Sequence, residues 1–187
     1  MSRNTELLAS DAELITRLQS GDRDAFTVLV RRWEGPMVRI AYRITGQLAE
    51  AEDVRQQVLL KLLQAPRAVR RPEQFAAWIH RAVVNTALSA LRRKKRREGL
   101  HHRKSEQTPM LDEIDPAAPL EADEQARRLA DALAQLEPEA RALLSLRFDE
   151  DLTFAEIAAA LGRPASTIKS RLARAIDRLR GFLIDQD

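Results

Sequence analysis

The chain has 187 residues, with 31 Lys and Arg against 28 Asp and Glu, no Cys and only 4% aromatics. Lack of cysteine excludes a disulfide framework and a cysteine zinc site, and fits a reducing cytoplasm. No run of 18 apolar residues predicts a membrane span, and the acid-bearing start MSRNTELLASDAELI lacks the apolar core of a secretory signal.

Six Gly and a dominance of Ala, Leu, Arg and Glu predict an all-α fold. Charge is spread unevenly along it. Residues 1–97 hold 19 Lys and Arg against 10 Asp and Glu, residues 98–124 hold 2 against 8, and residues 125–187 hold 10 of each. A basic first half predicts a polyanionic partner, most simply nucleic acid.

In chain order, residues 11–19 read as a short helix ended by Ser20-Gly21-Asp22. Residues 24–32 form a second, with Phe26, Leu29, Val30 and Trp33 at helical spacing. Gly35-Pro36 is expected to interrupt it, and residues 37–45 to resume with Val38, Ala41 and Tyr42 on one face. Over 49–64, Val54, Val58 and Leu62 make a core row that Leu59 and Leu63 widen. Asp53, Gln56, Gln57 and Leu60 lie off that row; they are either a docking surface or a solvated face, and spacing does not decide.

The segment APRAVRRPEQ, 65–74, is a loop bounded by Pro66 and Pro72 and carrying Arg67, Arg70 and Arg71. Residues 75–97 read as a long helix with Phe75, Ile79, Val83 and Leu91 inward, leaving Trp78, Arg81, Asn85, Arg92 and Arg93 largely off that row. It ends in RRKKRR, six cations able to neutralise phosphates without reading sequence. Nuclear import is a rival use of such a run, less suited to one built onto an amphipathic helix. Trp78 is either core or a wedge against unpaired bases, since any base offers a π-face.

Residues 98–124, with Pro109, Pro116, Pro119 and eight acids, read as a flexible linker. His101 and His102 lack a partner at metal-ligand spacing, so neither metal nor other cofactor is expected. No phosphate-binding glycine loop and no nucleophile–base constellation is present, so no enzyme is expected.

Beyond it, residues 125–136 (Leu129, Leu133 and Leu136 inward) and a helix opened by Pro138 (Leu143, Leu144, Leu146) lead into the turn Asp149-Glu150-Asp151. Thr153 and Glu156 then form a capping box, so a helix starts there, with Ile157, Ala158 and Leu161 on one face. Gly162 stops it and Pro164 suits the start of the next. That last helix turns Ile168, Leu172, Ile176 and Leu179 inward. Thr167, Arg171, Arg174 and Arg178 share another face, with Lys169 and Ser170 beside it. The pattern is that of a helix-turn-helix, whose hydroxyls and guanidiniums can reach bases and phosphates in a major groove. An ordinary helical hairpin with a solvated basic face has the same spacing.

Four stretches together resemble the bacterial RNA polymerase sigma factors of the extracytoplasmic-function (ECF) group: FTVLVRRWEGPMVRIAYRITG at 26–46, AEDVRQQVLLKLL at 51–63, FAAWIHRAVVNTALSALRRKKR at 75–96 and the segment from Leu136 to Arg180. The resemblance implies two small helical domains, region two over 10–97 and region four over 125–187, joined by the linker 98–124. It implies that Asp53, Gln56, Gln57 and Leu60 dock on the beta-prime clamp of core RNA polymerase. Arg67, Arg70, Arg71, Trp78, Arg81, Asn85, Arg92 and Arg93 would handle the promoter −10 element, the loop capturing a flipped base. The linker would run through the RNA exit path. Ser166, Thr167, Lys169, Ser170, Arg171 and Arg174 would read the −35 element, with their domain on the beta flap. It further implies a cytoplasmic initiation factor responding to a stress or envelope signal, with an anti-sigma factor as a further partner. The sequence departs from the usual pattern at Leu59 (Phe is common), Gln57 (Glu), Val84 and Ser89 around Asn85 (Arg and Asp), Asp151 (Gly) and Ser166 (Gly). Rival readings are a stand-alone helix-turn-helix regulator binding a duplex palindrome as a dimer, and a helical RNA-binding or adaptor protein using the RRKKRR run.

Overall fold

The computed structural model describes residues 9–101 and 120–184, and among the described residues there are helices and turns but no strand. Helix α1 (Asp11–Gln19) opens on a capping box: Ser10 Oγ accepts from the Glu13 amide, and the Glu13 carboxylate accepts from the Ser10 amide at 2.7 Å. It ends at Gly21, whose φ of +96° a side chain would strain. Asp22 then caps α2 (Arg23–Thr45), its carboxylate accepting from the Asp24 and Ala25 amides.

Helix α2 corrects the expected interruption. It runs unbroken through Gly35-Pro36 to Gly46, which closes it in the left-handed region at φ 76°. A proline inside a helix costs about 3 kcal/mol. Leu29 before it, and Met37, Ile40 and Ile44 after it, are each fully buried, and each contributes about 1.5–3 kcal/mol. Burial on both sides of Pro36 outweighs the local defect, a balance that dipeptide propensity does not contain.

Helix α3 (Leu48–Gln64) buries Val54, Val58 and Leu62 against α2 as its spacing predicts. Two 3₁₀ turns, Pro66–Ala68 and Pro72–Gln74, follow. Gln19 holds this loop on α1, its amide donating to the carbonyls of Pro66 (3.2 Å) and Val69 (2.9 Å), and Val69 is buried beneath it. Helix α4 (Phe75–His101) packs Phe75, Ile79 and Val83 onto α2 and α3.

In the second half α5 (Leu120–Ala134) precedes α6 (Pro138–Leu144), which continues as a π-helical turn over Ser145–Asp149. The acidic corner turns at Asp151, a non-glycine residue at φ 53°, a conformation that Asp tolerates better than most residues. The Arg147 guanidinium donates to the Leu152 carbonyl at 3.2 Å and lies 5.8 Å above the Phe154 ring, bracing that corner. The capping box of Thr153 and Glu156 opens α7 (Phe154–Leu161) as expected, and Gly162 ends it at φ 64°. Helix α8 (Ala165–Ile184) docks on α7 and α6 through Ile168, Leu172 and Ala175. The expected linker begins and ends inside helix: α4 propagates to His101 and α5 starts at Leu120, while 102–119 lie outside the described residues.

The two helical groups share one buried core. Helix α2 packs on α6 and the π turn, and α4 packs on α7 and α6.

Candidate nucleic-acid interface

On α3, Asp53, Gln56, Gln57 and Leu60 are all exposed. Their spacing of three, four and seven residues lines them up in one stripe. Leu60 is 45% accessible, an apolar group held among polar ones.

The surface of α4 is split between two hollows. Trp78 is half-buried and stacked on Phe75 with ring centroids 6.1 Å apart; Phe75 in turn meets Trp33 edge-on at 5.7 Å. Its other surface lines a cleft of about 350 Å³ between α3 and α4, with Gln57, Lys61, Arg81, Asn85 and Arg93. The two readings of Trp78 therefore meet in one residue, part core and part cleft wall. Lys61 Nζ donates to Thr86 Oγ1 at 3.1 Å across the cleft floor. Arg67, Arg70 and Arg71 are exposed on the loop, and Arg67 borders a separate hollow beside Leu18, Gln19 and Leu63. Trp78, Arg81, Asn85 and Arg93 thus come together, while the loop arginines do not join them.

Arg92 faces away from that cleft. With Val84, Asn85 and Leu88 it lines a crevice of about 120 Å³ whose opposite wall is Glu139, Leu143, Leu161, Arg163 and Arg171 from the second half. Arg81 also reaches across, donating to the carbonyls of Ala159 and Ala160 at the end of α7. These carbonyls lack helical donors and carry the negative end of the helix dipole, so a guanidinium suits them.

On α8, Ser166, Lys169, Ser170 and Arg174 are exposed, whereas Thr167 and Arg171 are half-buried. Ser170 Oγ donates to the Thr167 carbonyl at 3.1 Å, and the Arg171 guanidinium lies 3.8 Å from the Glu139 carboxylate. Ser166, Lys169, Ser170 and Arg174 therefore face solvent, while Arg171 borders the crevice shared with Leu161 at the end of α7.

Sequence reading missed the groups that join the halves. Arg141 is buried, and its guanidinium donates to Ala134 and Leu136 (3.0 Å each) and to Ile44 of α2 (2.6 Å); burial lowers its pKa. Arg39 meets Glu150 at 2.9 Å and Arg43 meets Asp149 at 3.2 Å. Burial pushes the Glu150 carboxyl up, against the pull of Arg39. His80 is buried edge-on to Trp33 at 5.4 Å. Burial drives its imidazole down to about 4, against the pull of Glu156 on α7. Asp149-Glu150-Asp151 was visible as a charged turn, but its partners lie more than 100 residues away.

Residues 29–97 match the family model of sigma-70 region 2, and residues 132–181 that of sigma-70 region 4. The chain is 35% identical over 179 residues to the ECF RNA polymerase sigma factor SigM of Mycobacterium tuberculosis, covering 93% of this chain and 86% of the relative. It belongs to the ECF RNA polymerase sigma factors. The ECF RNA polymerase sigma-E factor of Escherichia coli K12 is 30% identical over 173 residues, covering 89% and 90%. The fold is shared with the Bartonella quintana sigma factor RpoE solved with the anti-sigma factor NepR (TM-score 0.70, 22% identity, 86% and 97% covered). It is shared also with CnrH solved with the cytosolic domain of CnrY (TM-score 0.67, 23% identity, 95% and 98% covered). As a sigma factor the protein directs promoter-specific transcription initiation by RNA polymerase. The region 2 match leaves the stand-alone regulator without support, because that reading gives the first half no task.

Proposed function

We propose that the three surfaces divide the work of initiation. The α3 stripe of Asp53, Gln56, Gln57 and Leu60 docks on the beta-prime clamp of core polymerase. The loop arginines Arg67, Arg70 and Arg71, with Trp78, Arg81, Asn85, Arg92 and Arg93 of α4, take the −10 element. The cleft beside Trp78 gives a flipped base a π-face and cationic walls, which offsets a few kcal/mol of unstacking. Ser166, Thr167, Lys169, Ser170, Arg171 and Arg174 of α8 read the −35 element, with the domain seated on the beta flap. The factor works by binding, without a catalytic centre of its own, in the cytoplasm. No helix among the described residues is long and apolar enough to cross a membrane. An anti-sigma factor, like the NepR solved with RpoE of Bartonella quintana, is the expected negative regulator.

The observation that supports this best is the match of both sigma regions to one chain whose polar stripes on α3, α4 and α8 lie on separate elements. Run-off transcription with core polymerase on fragmented genomic DNA tests it. Discrete transcripts dependent on this protein are expected, and aligned start sites give both elements. A protein that forms no complex with core would overturn the assignment.

A further inference from the structure

The second half holds a cavity that none of the residues assigned above to polymerase or DNA borders. It has a volume of about 460 Å³ and lies between α5, α6 with its π turn, and α8; Arg43 and Gly46 edge it from the first half. Leu129, Leu133, Leu144, Phe148, Ile176 and Leu179 supply its walls. Two of these, Leu129 and Phe148, are 43% and 60% accessible, so large apolar groups stand in water there. Sites for small molecules are concave, mostly apolar and of this size, with a few polar groups that fix the ligand.

The charge at this cavity has an excess of one sign. Arg43, Arg141 and Arg180 border it against the carboxylate of Asp149. That carboxylate is paired with Arg43. The buried Arg141 donates to the carbonyls of Ala134, Leu136 and Ile44, which carry no compensating charge. Two buried polar atoms of lining residues, Arg141 Nε and Ser145 Oγ, have no hydrogen-bond partner within the protein, although buried polar groups are as a rule satisfied. Ser145, Phe148 and Asp149 all belong to the π turn, a rare conformation that often accompanies functional sites.

We propose that this cavity binds a single-chain amphiphile with a carboxylate head, a fatty acid of about twelve carbons. At ~30 Å³ for each group the size of a water molecule, it takes roughly fifteen heavy atoms, which a twelve-carbon acid nearly fills. The chain covers Leu129 and Phe148. The carboxylate supplies the acceptor that Ser145 Oγ and Arg141 Nε lack, and the counter-charge that the carbonyl partners of Arg141 do not. Nothing in this site depends on the promoter or clamp assignments.

Calorimetric titration of the whole protein with monomeric sodium dodecanoate should give saturable binding of one molecule per chain. Shorter acids should bind more weakly, by about fourfold per methylene removed, while hexadecanoate should gain nothing over dodecanoate because the cavity is full. Dodecyltrimethylammonium, the same chain with a cationic head, should bind at least ~tenfold more weakly. Ser145→Ala removes a hydroxyl without a partner in the free protein, so it should leave the thermal midpoint unchanged and still weaken dodecanoate about fivefold. Leu133→Trp fills the cavity and should abolish binding. Should that variant fail to fold, Arg43→Gln with Arg180→Gln leaves the apolar walls intact; it should weaken dodecanoate several-fold and dodecyltrimethylammonium not at all. Equal affinity for the two heads, full dodecanoate affinity in a folded Leu133→Trp, or affinity that keeps rising beyond twelve carbons would overturn the proposal. Run-off transcription reads sigma activity separately, so neither result decides the other.

Discussion

Helices α4 and α8 carry the same kinds of side chain in different circumstances. The polar stripe on α8, proposed for the −35 element, needs only a local argument. Its apolar row docks on α7, and what is left over faces solvent, so Lys169, Ser170 and Arg174 stand where spacing puts them. The α4 surface proposed for the −10 element has the same amphipathic logic but meets the second half of the molecule. Arg81 and Arg92, equivalent in the sequence to Arg93, end in different places: one on carbonyls of α7, one in a crevice against Arg171, one in the cleft with Trp78. A basic face is a property of a helix, whereas its availability is a property of the whole molecule.

The strongest way to break the comparison is to remove the residue that ties both halves together. Arg141 is buried and satisfies carbonyls at the ends of two helices. Arg141→Ala leaves three acceptors without this donor and opens a void, so stability should fall by about 4 kcal/mol. Urea denaturation measures it, and a loss under ~1 kcal/mol would show that Arg141 is a bystander.

His80 sharpens the same point through pH. Its folded pKa of about 4 lies below the ordinary value of about 6.5, so the native state prefers the neutral ring. The associated stability is fully present above pH ~6.5 and drains away as pH falls toward ~4. The full loss is about 3 kcal/mol. Replacing it, His80→Phe, should flatten the stability profile between those pH values; an unchanged slope would assign the pH dependence to other groups.

On the α8 side the effects should be smaller and confined to DNA. Lys169→Ala and Arg171→Ala should each weaken promoter binding of the holoenzyme by about 1–3 kcal/mol, with the loss concentrated at −35 positions. Mobility shifts on point-substituted promoters would show it. Equal weakening on every sequence would mean that these side chains touch phosphate only.

The contrast also says what a sequence can carry. The capping box of Thr153 and Glu156, the helix it opens and the stop at Gly162 follow from neighbours within four residues, and the structure has them as read. Continuity through Pro36 depends on burial of Leu29, Met37 and Ile40 by other helices, which no window around Gly35-Pro36 contains. The joint between the halves is less legible still. An arginine that donates to backbone carbonyls has no partner residue type to find, and Arg39 and Glu150 are joined only by the fold. Ser10 and Glu13 are the opposite case, a capping signature present in the sequence and confirmed in space, yet missed in reading α1.

Those two capping boxes offer the finest test. Ser10→Ala and Thr153→Ala each remove a hydroxyl that accepts from an amide in the first turn of a helix, one in each half. Each should cost about 1 kcal/mol. If the shared core makes the halves one folding unit, they unfold together, and either substitution moves the single transition of the whole protein by the same free energy. If they are independent, Ser10→Ala moves only the melting of the first half and Thr153→Ala only that of the second. Tryptophan fluorescence separates the cases, because both tryptophans, Trp33 and Trp78, lie in the first half. A shift of the fluorescence transition by Thr153→Ala, more than 70 residues away in sequence, can arise only through contact between the halves; its absence would place the two surfaces on separately folding domains.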